Sequence, residues 1–455
     1  MTGLSRRSRW TSVLLSRFQH PAQLVVTSFG LLVVVGTVLL LQPIATTGRP
    51  ADVVDALFTA TSAVTVTGLA VVDTQAHWSV FGELVIAGLA QVGGLGIMTF
   101  ATLFAVLVGR RVGLRFRLMA QAETSMLSMA DVRVIARRVV VFSLTCEVVF
   151  AAVLAARWMI GYGEPFLRAV YYGVFHSIMA FNHAGFALWP DGLNRFVADP
   201  WISVTITLAV VVGGLGFPVV FELRRNWLRP RRWSIMTRLT VWISLALLAV
   251  GTLFLLVAEW DNAGTFGPLS EGDKLMAALF ASSMTRSAGL NTVDVGQMHS
   301  SSWLFSDLLM FIGGGSASTA GGIKVTTFGV LAYVIWAELR GEPHVNIGNR
   351  RVSGAVQRQA IAITLISGML VAASTYVLLV ISPFGLDRVL FEVISAFTTT
   401  GLSTGITSQF SPVGLILLSL LMFVGRTGPL TLGWALALRE RSRRYELPEE
   451  RVIVG

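Results

Sequence analysis

The sequence has little of what a soluble enzyme needs. A single cysteine, Cys146, occurs in 455 residues, which excludes an intramolecular disulfide and a metal cluster built on cysteines. Charged residues make up 13% of the chain, against roughly 25% in ordinary soluble domains. No HExxH segment and no Cys/His pair beside acidic residues is found, so we expect no enzymatic activity.

Long apolar runs take the place of charge. Hydrophobic residues form 54% of the sequence, and the mean hydropathy is +0.70. The runs at 24–41, 139–156 and 241–258 are each about as long as a helix needs to cross a bilayer. The composition therefore predicts one all-α polytopic membrane protein rather than two or three soluble domains.

The charges that remain alternate in sign along the chain, although their sum is +10. Arginine concentrates in five segments: residues 1–20, 110–138, 224–238, 340–358 and 439–451. The connections between them are acidic instead, with Asp52, Asp55, Glu164, Glu259, Asp261, Glu271 and Asp273. By the positive-inside rule both termini and the basic segments are cytoplasmic. We expect the basic surface to meet membrane lipids and no nucleic acid.

A fourfold internal repeat follows from one recurring stretch, led by phenylalanine and ended by glycine. Its copies are FTATSAVTVTGL (58–69), FHSIMAFNHAGF (175–186), FASSMTRSAGL (280–290) and FEVISAFTTTGL (391–402). A second glycine landmark follows each copy at a similar distance, at positions 93, 213, 313 and 425. Four copies with two landmarks in register indicate a repeated structural unit.

Each repeat is predicted to be a span, a short helix that ends near the glycine, and a second span. The first spans are expected at 23–42, 137–160, 236–258 and 359–381, and the second at 78–108, 200–222, 303–337 and 411–438. The short helices, at 52–64, 166–180, 271–284 and 386–397, cannot cross a bilayer and should re-enter from outside. Pro165 and Asp387 lie near two helix starts, and Asp52 and Gly272 are candidate caps.

Eight transmembrane helices and four re-entrant loops would thus surround a central pseudo-fourfold pore. Non-helical backbone at membrane depth is tolerated where it is buried or lines water. Glycine permits positive φ, which can turn carbonyls toward the axis, and rings of carbonyls replace the hydration shell of a cation. No carboxylate lies within the loops, which favours a monovalent cation over calcium.

The candidate filter consists of four aligned columns of residues. The variable side chains and the invariant glycine predict coordination by carbonyls, with side chains turned away into supporting contacts. The columns are Thr65, Asn182, Arg286 and Thr398; Val66, His183, Ser287 and Thr399; Thr67, Ala184, Ala288 and Thr400; and Gly68, Gly185, Gly289 and Gly401.

These loops and the glycine-rich third repeat resemble the Ktr/Trk/HKT superfamily of potassium transporters, and within it the bacterial KtrB-type membrane subunit. The most specific matches are TVTGL (65–69), TRSAGLNT (285–292) and GRTGPLTL (425–432). The resemblance covers about residues 20–440. It implies potassium uptake across a bacterial plasma membrane, with no covalently bound cofactor and sodium as a possible second ion. Gly68 implies potassium, because relatives with serine there lean toward sodium.

The glycine-rich segment 313–322 is predicted to break the second span of repeat 3, because it holds five glycines in ten residues. The alternative is that the glycines, serines and alanines of this segment form one face of a helix that packs closely against a neighbouring helix. The resemblance implies a gate built from this segment, with Lys324 at its edge. Its residues are Gly313, Gly314, Gly315, Ser316, Ala317, Ser318, Thr319, Ala320, Gly321 and Gly322.

Arg426 is a charge in mid-span, which costs at least ~2.5 kcal/mol without partners or water and therefore indicates function. The resemblance places it in the cavity, in contact with the loop, as a barrier to cations.

The expected domain division follows these features. It runs 1–22 (cytoplasmic N-terminus), 23–110 (repeat 1), 111–224 (linker and repeat 2), 225–340 (repeat 3), 341–440 (linker and repeat 4) and 441–455 (cytoplasmic tail). The resemblance further implies a homodimer, with RVIVG at the chain end near the contact, and a cytosolic KtrA-type ring that binds ATP or ADP. The basic segments 110–138 and 340–358 are the candidate docking surface.

The sequence leaves more than one interpretation open for several residues and for the function. Arg286 either hydrogen-bonds loop carbonyls or an acid such as Glu392, or repels ions directly. His183 and His176 favour packing over a metal site, because no third ligand is near. Asp73, Asp191 and Asp294 either enrich cations at the mouth or cap turns. The rival functions are an alternating-access cation carrier and a sodium-permeable member of the same superfamily.

Overall fold

The computed structural model describes residues 21–117 and 129–438. Three features predicted from the sequence lie partly or wholly outside these residues. They are most of the N-terminal segment 1–22, part of the basic segment 110–138, and the tail 441–455 with RVIVG. The described chain is helical apart from one two-residue hairpin, β1 (Asn346–Ile347) antiparallel to β2 (Arg350–Arg351).

The helices follow the repeats in order. Repeat 1 contains α1 (Pro21–Leu40), α2 (Val53–Val64), the single turn α3 (Thr74–His77) and α4 (Val80–Arg117). Repeat 2 contains α5 (Met129–Tyr162), α6 (Phe166–Asn182), α7 (Pro200–Leu215) and α8 (Phe217–Asn226). Repeat 3 contains α9 (Ile235–Ala258), α10 (Glu271–Met284), α11 (Ser300–Phe311) and α12 (Val325–Leu339). Repeat 4 contains α13 (Gly354–Ile381), α14 (Leu386–Phe397) and α15 (Pro412–Leu438). Short 3₁₀ turns lie at Pro43–Ala45, Asn194–Phe196, Pro230–Arg232, Val295–Gln297 and Thr407–Gln409.

Two of the four short helices, α2 and α10, begin at polar caps. The Asp52 carboxylate accepts the Val53 N–H at the start of α2, as the sequence predicts. The start of α10 differs from the prediction, because Ser270 rather than Gly272 is its cap. The Ser270 hydroxyl accepts the Asp273 N–H at 3.3 Å and donates to the Asp273 carboxylate at 2.6 Å. Glycine has no side-chain oxygen with which to satisfy a free N–H, which is why serine takes this position.

The four repeats pack in a closed cycle. In each repeat the second long helix packs against the short helix of the next repeat: α4 on α6, α7 on α10, α11 on α14, and α15 on α2. Each short helix also packs against the first long helix of its own repeat. Each short helix is therefore held between the first long helix of its own repeat and the second long helix of the preceding repeat.

The phenylalanine that leads each repeated stretch lies in the core. Phe58, Phe175, Phe280 and Phe391 are all almost completely buried, between 0% and 2% exposed. Their burial explains why an aromatic residue recurs at this position, since each one fills the space between a short helix and its neighbours.

Several helices have the length and hydropathy of membrane spans. Within the described residues these are Val80–Thr99, Val134–Tyr162, Ile235–Ala258 and Gly354–Ile381. The pair α7–α8 would add a fifth if both helices form one bent span, while Val25–Leu40 and Pro412–Gly428 are shorter. On α9 the outward residues Trp242, Leu245 and Leu253 are exposed, as expected of a helix that faces lipid.

Two of the second spans are interrupted. In repeat 3, α11 ends at Phe311 and α12 begins at Val325, so the predicted break at 313–322 is present. In repeat 2 the sequence predicts one continuous span at 200–222, and that prediction is wrong. The chain turns by 100° between α7 and α8, because Gly216 adopts φ +87° and Phe217 N–H donates to the Ala317 carbonyl at 3.4 Å.

Candidate functional site

The four aligned glycines form a ring at the centre of the molecule. Gly68, Gly185, Gly289 and Gly401 have φ of +92°, +68°, +69° and +92°. A methyl group on Gly68 would lie 2.4 Å from the Ala184 carbonyl oxygen of repeat 2. Equivalent methyl groups on the other glycines would meet the neighbouring repeats: 3.3 Å from Ala288 O for Gly185, 2.4 Å from Thr400 O for Gly289 and 2.0 Å from Thr67 O for Gly401. Both the left-handed φ and the contact between loops therefore require glycine.

A second left-handed residue lies two positions before each glycine, and none of these residue types predicts that conformation. The residues are Val66, His183, Ser287 and Thr399, with φ of 57°, 66°, 72° and 50°. Non-glycine residues seldom take this conformation, and each costs about 1–3 kcal/mol. Four equivalent outliers in one ring mark a functional backbone.

The threonine hydroxyls of repeat 1 bind within the loop itself. Thr65 Oγ1 lies 2.8 Å from Thr67 Oγ1 and donates to the Thr61 carbonyl at 2.7 Å. The Gly68 N–H donates to Ser62 Oγ at 3.0 Å. Repeat 4 has the same three contacts, with Thr398 Oγ1 to Thr400 Oγ1 at 2.8 Å, Thr398 Oγ1 to Ile394 O at 2.7 Å and Gly401 N to Ser395 Oγ at 3.0 Å. In these two repeats the threonine hydroxyls therefore support the loop.

The loop of repeat 2 is supported by a buried carboxyl group. Asn182 Nδ2 donates to Glu147 Oε1 at 3.0 Å and to Gln91 Oε1 at 2.9 Å, and Gln91 Nε2 donates to both Glu147 oxygens at 3.0 Å. Glu147 is 5% exposed. Glu147 stands alone in its apolar span, and spacing in the sequence gives no indication that Gln91 lies beside it.

Arg286 supports the glycine-rich loop rather than an acidic partner. Its guanidinium donates to the Ser244 carbonyl at 3.1 Å, to the Ser244 hydroxyl at 2.9 Å and to the Gly313 carbonyl at 3.4 Å. The suggested pairing with Glu392 is absent, because that carboxylate already accepts hydrogen bonds within repeat 4, from Ser403, Thr404 and Thr407.

Both buried histidines make packing and backbone contacts. His183 Nδ1 lies 2.7 Å from the Ser287 carbonyl and Nε2 lies 2.9 Å from the Val210 carbonyl. His176 Nδ1 lies 2.8 Å from the Tyr172 carbonyl, and the ring stacks on Trp189 at 4.7 Å. Across residues 21–117 and 129–438, no three His, Cys, Asp or Glu side chains come together as candidate metal ligands.

Of the three aspartates that follow the filter glycines, Asp73 and Asp294 cap a helix or a turn and Asp191 forms an ion pair. Asp73 accepts the Ala76 N–H at 2.6 Å, and Asp294 accepts the Gly296 N–H at 2.9 Å. Asp191 pairs with Arg195 at 2.8 Å. The contacts match the capping interpretation of the sequence for Asp73 and Asp294.

The segment between α11 and α12 folds as a buried loop against the glycine ring. Gly315 N–H donates to the Gly214 carbonyl at 2.8 Å, and Thr319 Oγ1 donates to the Phe181 carbonyl at 3.1 Å. Gly321 N–H donates to Ser287 Oγ at 2.7 Å. The loop thus contacts the last turn of the repeat 2 short helix and the filter of repeat 3.

Two cationic side chains lie beside this loop. Lys324 Nζ donates to the Ala320 carbonyl within the loop. Arg426 is 4% exposed, and none of its three side-chain nitrogens has a hydrogen-bond partner in the described part of the chain. Arg426 lies near both Lys324 and His183. A buried guanidinium without partners is costly, so this position has a role other than packing.

The second glycine landmark packs directly on the filter support. Methyl groups on Gly93, Gly213 and Gly425 would lie 2.0 Å, 2.2 Å and 1.7 Å from the carbonyl oxygens of Val64, Phe181 and Phe397. These carbonyls belong to the residues just before the first filter column. The regular spacing along the sequence revealed the landmark, and its role as a close helix contact emerges only in three dimensions.

Four loops that meet in a ring of backbone carbonyls, held by apolar helices, define a helical membrane transport protein. The sequence pattern of the TrkH family, described as cation transport proteins, matches residues 4–442. The chain belongs to this family, which confirms the predicted superfamily and the expectation that it is not an enzyme.

Individual relatives agree with this assignment. Ktr system potassium uptake protein B of Bacillus subtilis is 39% identical over 436 residues, 96% of this chain and 97% of that protein. The protein of the same name from Vibrio alginolyticus is 36% identical over 437 residues, 96% and 95% of the two chains. The crystal structure of the potassium transporter TrkH from Vibrio parahaemolyticus has a TM-score of 0.72 at 18% identity and covers 90% of this chain and 83% of that one, which shows a shared fold.

Proposed function

We propose that this protein takes up potassium ions across a bacterial plasma membrane through the ring of filter loops. The observation that carries the proposal is the ring itself, in which the carbonyls of four loops converge at glycines that alone fit there. Carbonyl rings replace the water around a permeating cation. The names of the Ktr relatives, which are potassium uptake proteins, support potassium as the ion.

The proposed topology has eight spans and four re-entrant segments around a pseudo-fourfold pore, with both termini in the cytoplasm. The exposed arginines of the α8–α9 connection and of the β-hairpin support the inner face. Replacing Cys146, the only cysteine, by serine gives a background for single cysteines. A cysteine at Glu164 should react with an impermeant maleimide in intact cells, and one at Arg231 should react only after lysis. Reversed labelling would contradict the topology.

The proposed gate consists of the loop 313–322, Lys324 and Arg426. The loop contacts the filter through Gly321 and Ser287, and the unpartnered Arg426 charge is near enough to Lys324 to act on it. A positive charge at this position would repel a cation that leaves the filter toward the cytoplasm.

Regulation is proposed to come from a cytosolic nucleotide-binding ring that meets a homodimer of this chain. The exposed Arg350 and Arg351 of the β-hairpin, within the basic segment 340–358, are the described part of the docking surface. Reversing both charges to glutamate should abolish capture of a purified KtrA-type ring, while the same change at exposed Arg168 should not. Sodium dependence is proposed from family resemblance, and uptake measured with and without sodium tests it.

Growth of a potassium-uptake-deficient bacterium at low potassium tests the central proposal. The wild-type chain should restore growth, and Gly401→Ser should lose the preference for potassium over sodium, because its side chain would meet Thr67 O. Gly405→Ser is the matched control, because Gly405 has φ +87° but open space around it. An alternating-access carrier with its site elsewhere would keep its ion preference in Gly401→Ser.

A further inference from the structure

The Ser287 hydroxyl connects the glycine-rich loop to the filter of the next repeat. It accepts the Gly321 N–H of the loop at 2.7 Å. It also lies 3.0 Å from the Thr399 carbonyl and 3.4 Å from the Thr398 carbonyl, to which it donates. One side chain therefore contacts both the loop and two filter carbonyls.

The position of Ser287 leaves its hydroxyl few other partners. The residue is fully buried and has φ +72°. A hydroxyl has one hydrogen to donate, and the Gly321 N–H occupies its acceptor side, so the hydrogen points to repeat 4. An O–H group that accepts a hydrogen bond becomes a stronger donor. The loop therefore strengthens the bond from Ser287 to the Thr399 carbonyl.

The same position in the other repeats does not make this connection. Val66 has no hydrogen-bonding side chain, and His183 contacts the Ser287 carbonyl without touching the loop. Thr399 Oγ1 has no partner among the described residues. Among the four residues at this position, only Ser287 forms a hydrogen bond with the loop, although Gly321 also lies against Thr399 Oγ1 and the Thr398 carbonyl.

We propose that Ser287 is a positioning residue through which the loop sets the strength of the innermost filter carbonyls as cation ligands. This inference rests on the proposed function. While the loop is in place, the Thr399 carbonyl shares its electron pairs with the Ser287 hydroxyl and binds a cation less well. When the loop moves away, Gly321 leaves, the hydroxyl can rotate, and the carbonyl is fully available to the ion. Movement of the loop and tighter binding of the ion at the Thr399 carbonyl then occur together.

Uptake kinetics of ⁸⁶Rb⁺ and potassium in the deficient bacterium test this coupling. Ser287→Ala removes the competing donor, so the KM for potassium should fall roughly two- to tenfold, the worth of one hydrogen bond. Ser287→Thr keeps the hydroxyl and should restore the wild-type KM, since Thr399 holds a similar φ of +50°. Ser282→Ala is the matched control: Ser282 is equally buried and donates to the Leu248 carbonyl outside the filter, so its KM should not change.

A second variant displaces the loop without replacing a filter residue. A methyl group at Gly313 would lie 1.9 Å from the Gly321 carbonyl within the loop, so Gly313→Ala should also lower the KM. The double variant Ser287→Ala/Gly313→Ala should lower it no further, because both changes remove the same contact. Additive effects, or a Ser287→Ala protein with the KM of Ser282→Ala, would overturn the inference.

Folding and function are separated by two further measurements. If Ser287→Ala does not reach the membrane, Ser287→Cys replaces it with a weak S–H donor of similar size, and the same fall in KM is expected. If the wild-type chain does not restore potassium uptake at all, the proposed function fails. If the wild-type chain restores uptake but the variants have the wild-type KM, the proposed function stands and only the inference about Ser287 fails.

Discussion

Asn182 and Glu147 are joined by a hydrogen bond of 3.0 Å that anchors a filter loop to the first long helix of its repeat. The amide is the first filter residue of repeat 2, and the carboxyl group lies in the middle of α5. The acid is thus a structural support for a loop whose own side chains differ from those of repeats 1 and 4.

Removing this support should weaken the second filter loop. In Glu147→Ala both Gln91 and Asn182 lose their shared acceptor, and a buried donor without a partner costs about 1–3 kcal/mol. We expect a lower thermal stability in detergent and a reduced preference for potassium over sodium in uptake. The control is Glu164→Ala, because the exposed pair of Glu164 with Arg168 contributes little. Equal stability of the two variants would contradict the anchoring role.

Arg426→Ala should raise the rate of cation uptake. The change deletes a buried positive charge that has no hydrogen-bond partner, and with it a barrier to a cation on its way to the cytoplasm. Arg426→Lys keeps the charge and should stay near the wild-type rate. The maximal rate of ⁸⁶Rb⁺ uptake measures the effect, and unchanged kinetics in Arg426→Ala would refute the barrier.

Gly425→Ala should destabilise the protein by about 1–3 kcal/mol, the usual effect of overpacking. The added methyl group would lie 1.7 Å from the Phe397 carbonyl oxygen, so α15 and the end of α14 must separate. Gly428→Ala is the control on the same helix, since its methyl group would first meet a side chain at 3.5 Å. The melting temperature of the purified protein distinguishes the two, and equal values would show that α15 can shift freely.

The fold around Glu259 should be sensitive to acid. Glu259 caps the end of α9, outside the span. Burial raises its pKa, but hydrogen bonds from Ser302, His299, Thr265 and Asn262 outweigh burial, so the pKa lies below the ordinary value of 4.5. Because this pKa is lower in the folded than in the unfolded protein, the carboxylate stabilises the fold above about pH 4.5. The stabilisation is lost as the pH falls through the pKa of the folded state.

The measurement is the melting temperature of the purified protein from pH 7 to pH 3. The wild-type curve should fall below pH 4.5, and Glu259→Gln should start lower and show a flatter curve over the same range. Parallel curves for the two proteins would exclude Glu259 as the cause.

The repeat and its glycines could be predicted from the sequence because φ and close packing leave glycine alone at these positions. The glycine-rich break after α11 could be predicted for the same reason. The left-handed Val66, His183, Ser287 and Thr399 could not, because nothing in these residue types favours that conformation and only the assembled ring imposes it.

Other differences have equally local causes. The bend at Gly216 has no clear signature in the sequence, because its cause is the loop of repeat 3, whose Ser316 and Ala317 carbonyls lie against Gly216. The partners of Glu147 and Arg286 were out of reach because Gln91 and Ser244 come from distant parts of the chain. Long-range contacts of this kind have no periodic signature.

The cyclic packing has a consequence for how the protein is made. The loop of repeat 1 finds its last neighbour in Gly401, and α2 finds its last neighbour in α15, so the ring cannot close before the end of repeat 4 has left the ribosome. A chain stalled after repeat 3 has spans but no filter, and the slowest contact to form joins the two ends of the sequence. The ring of four glycines can therefore form only after repeat 4 has been made.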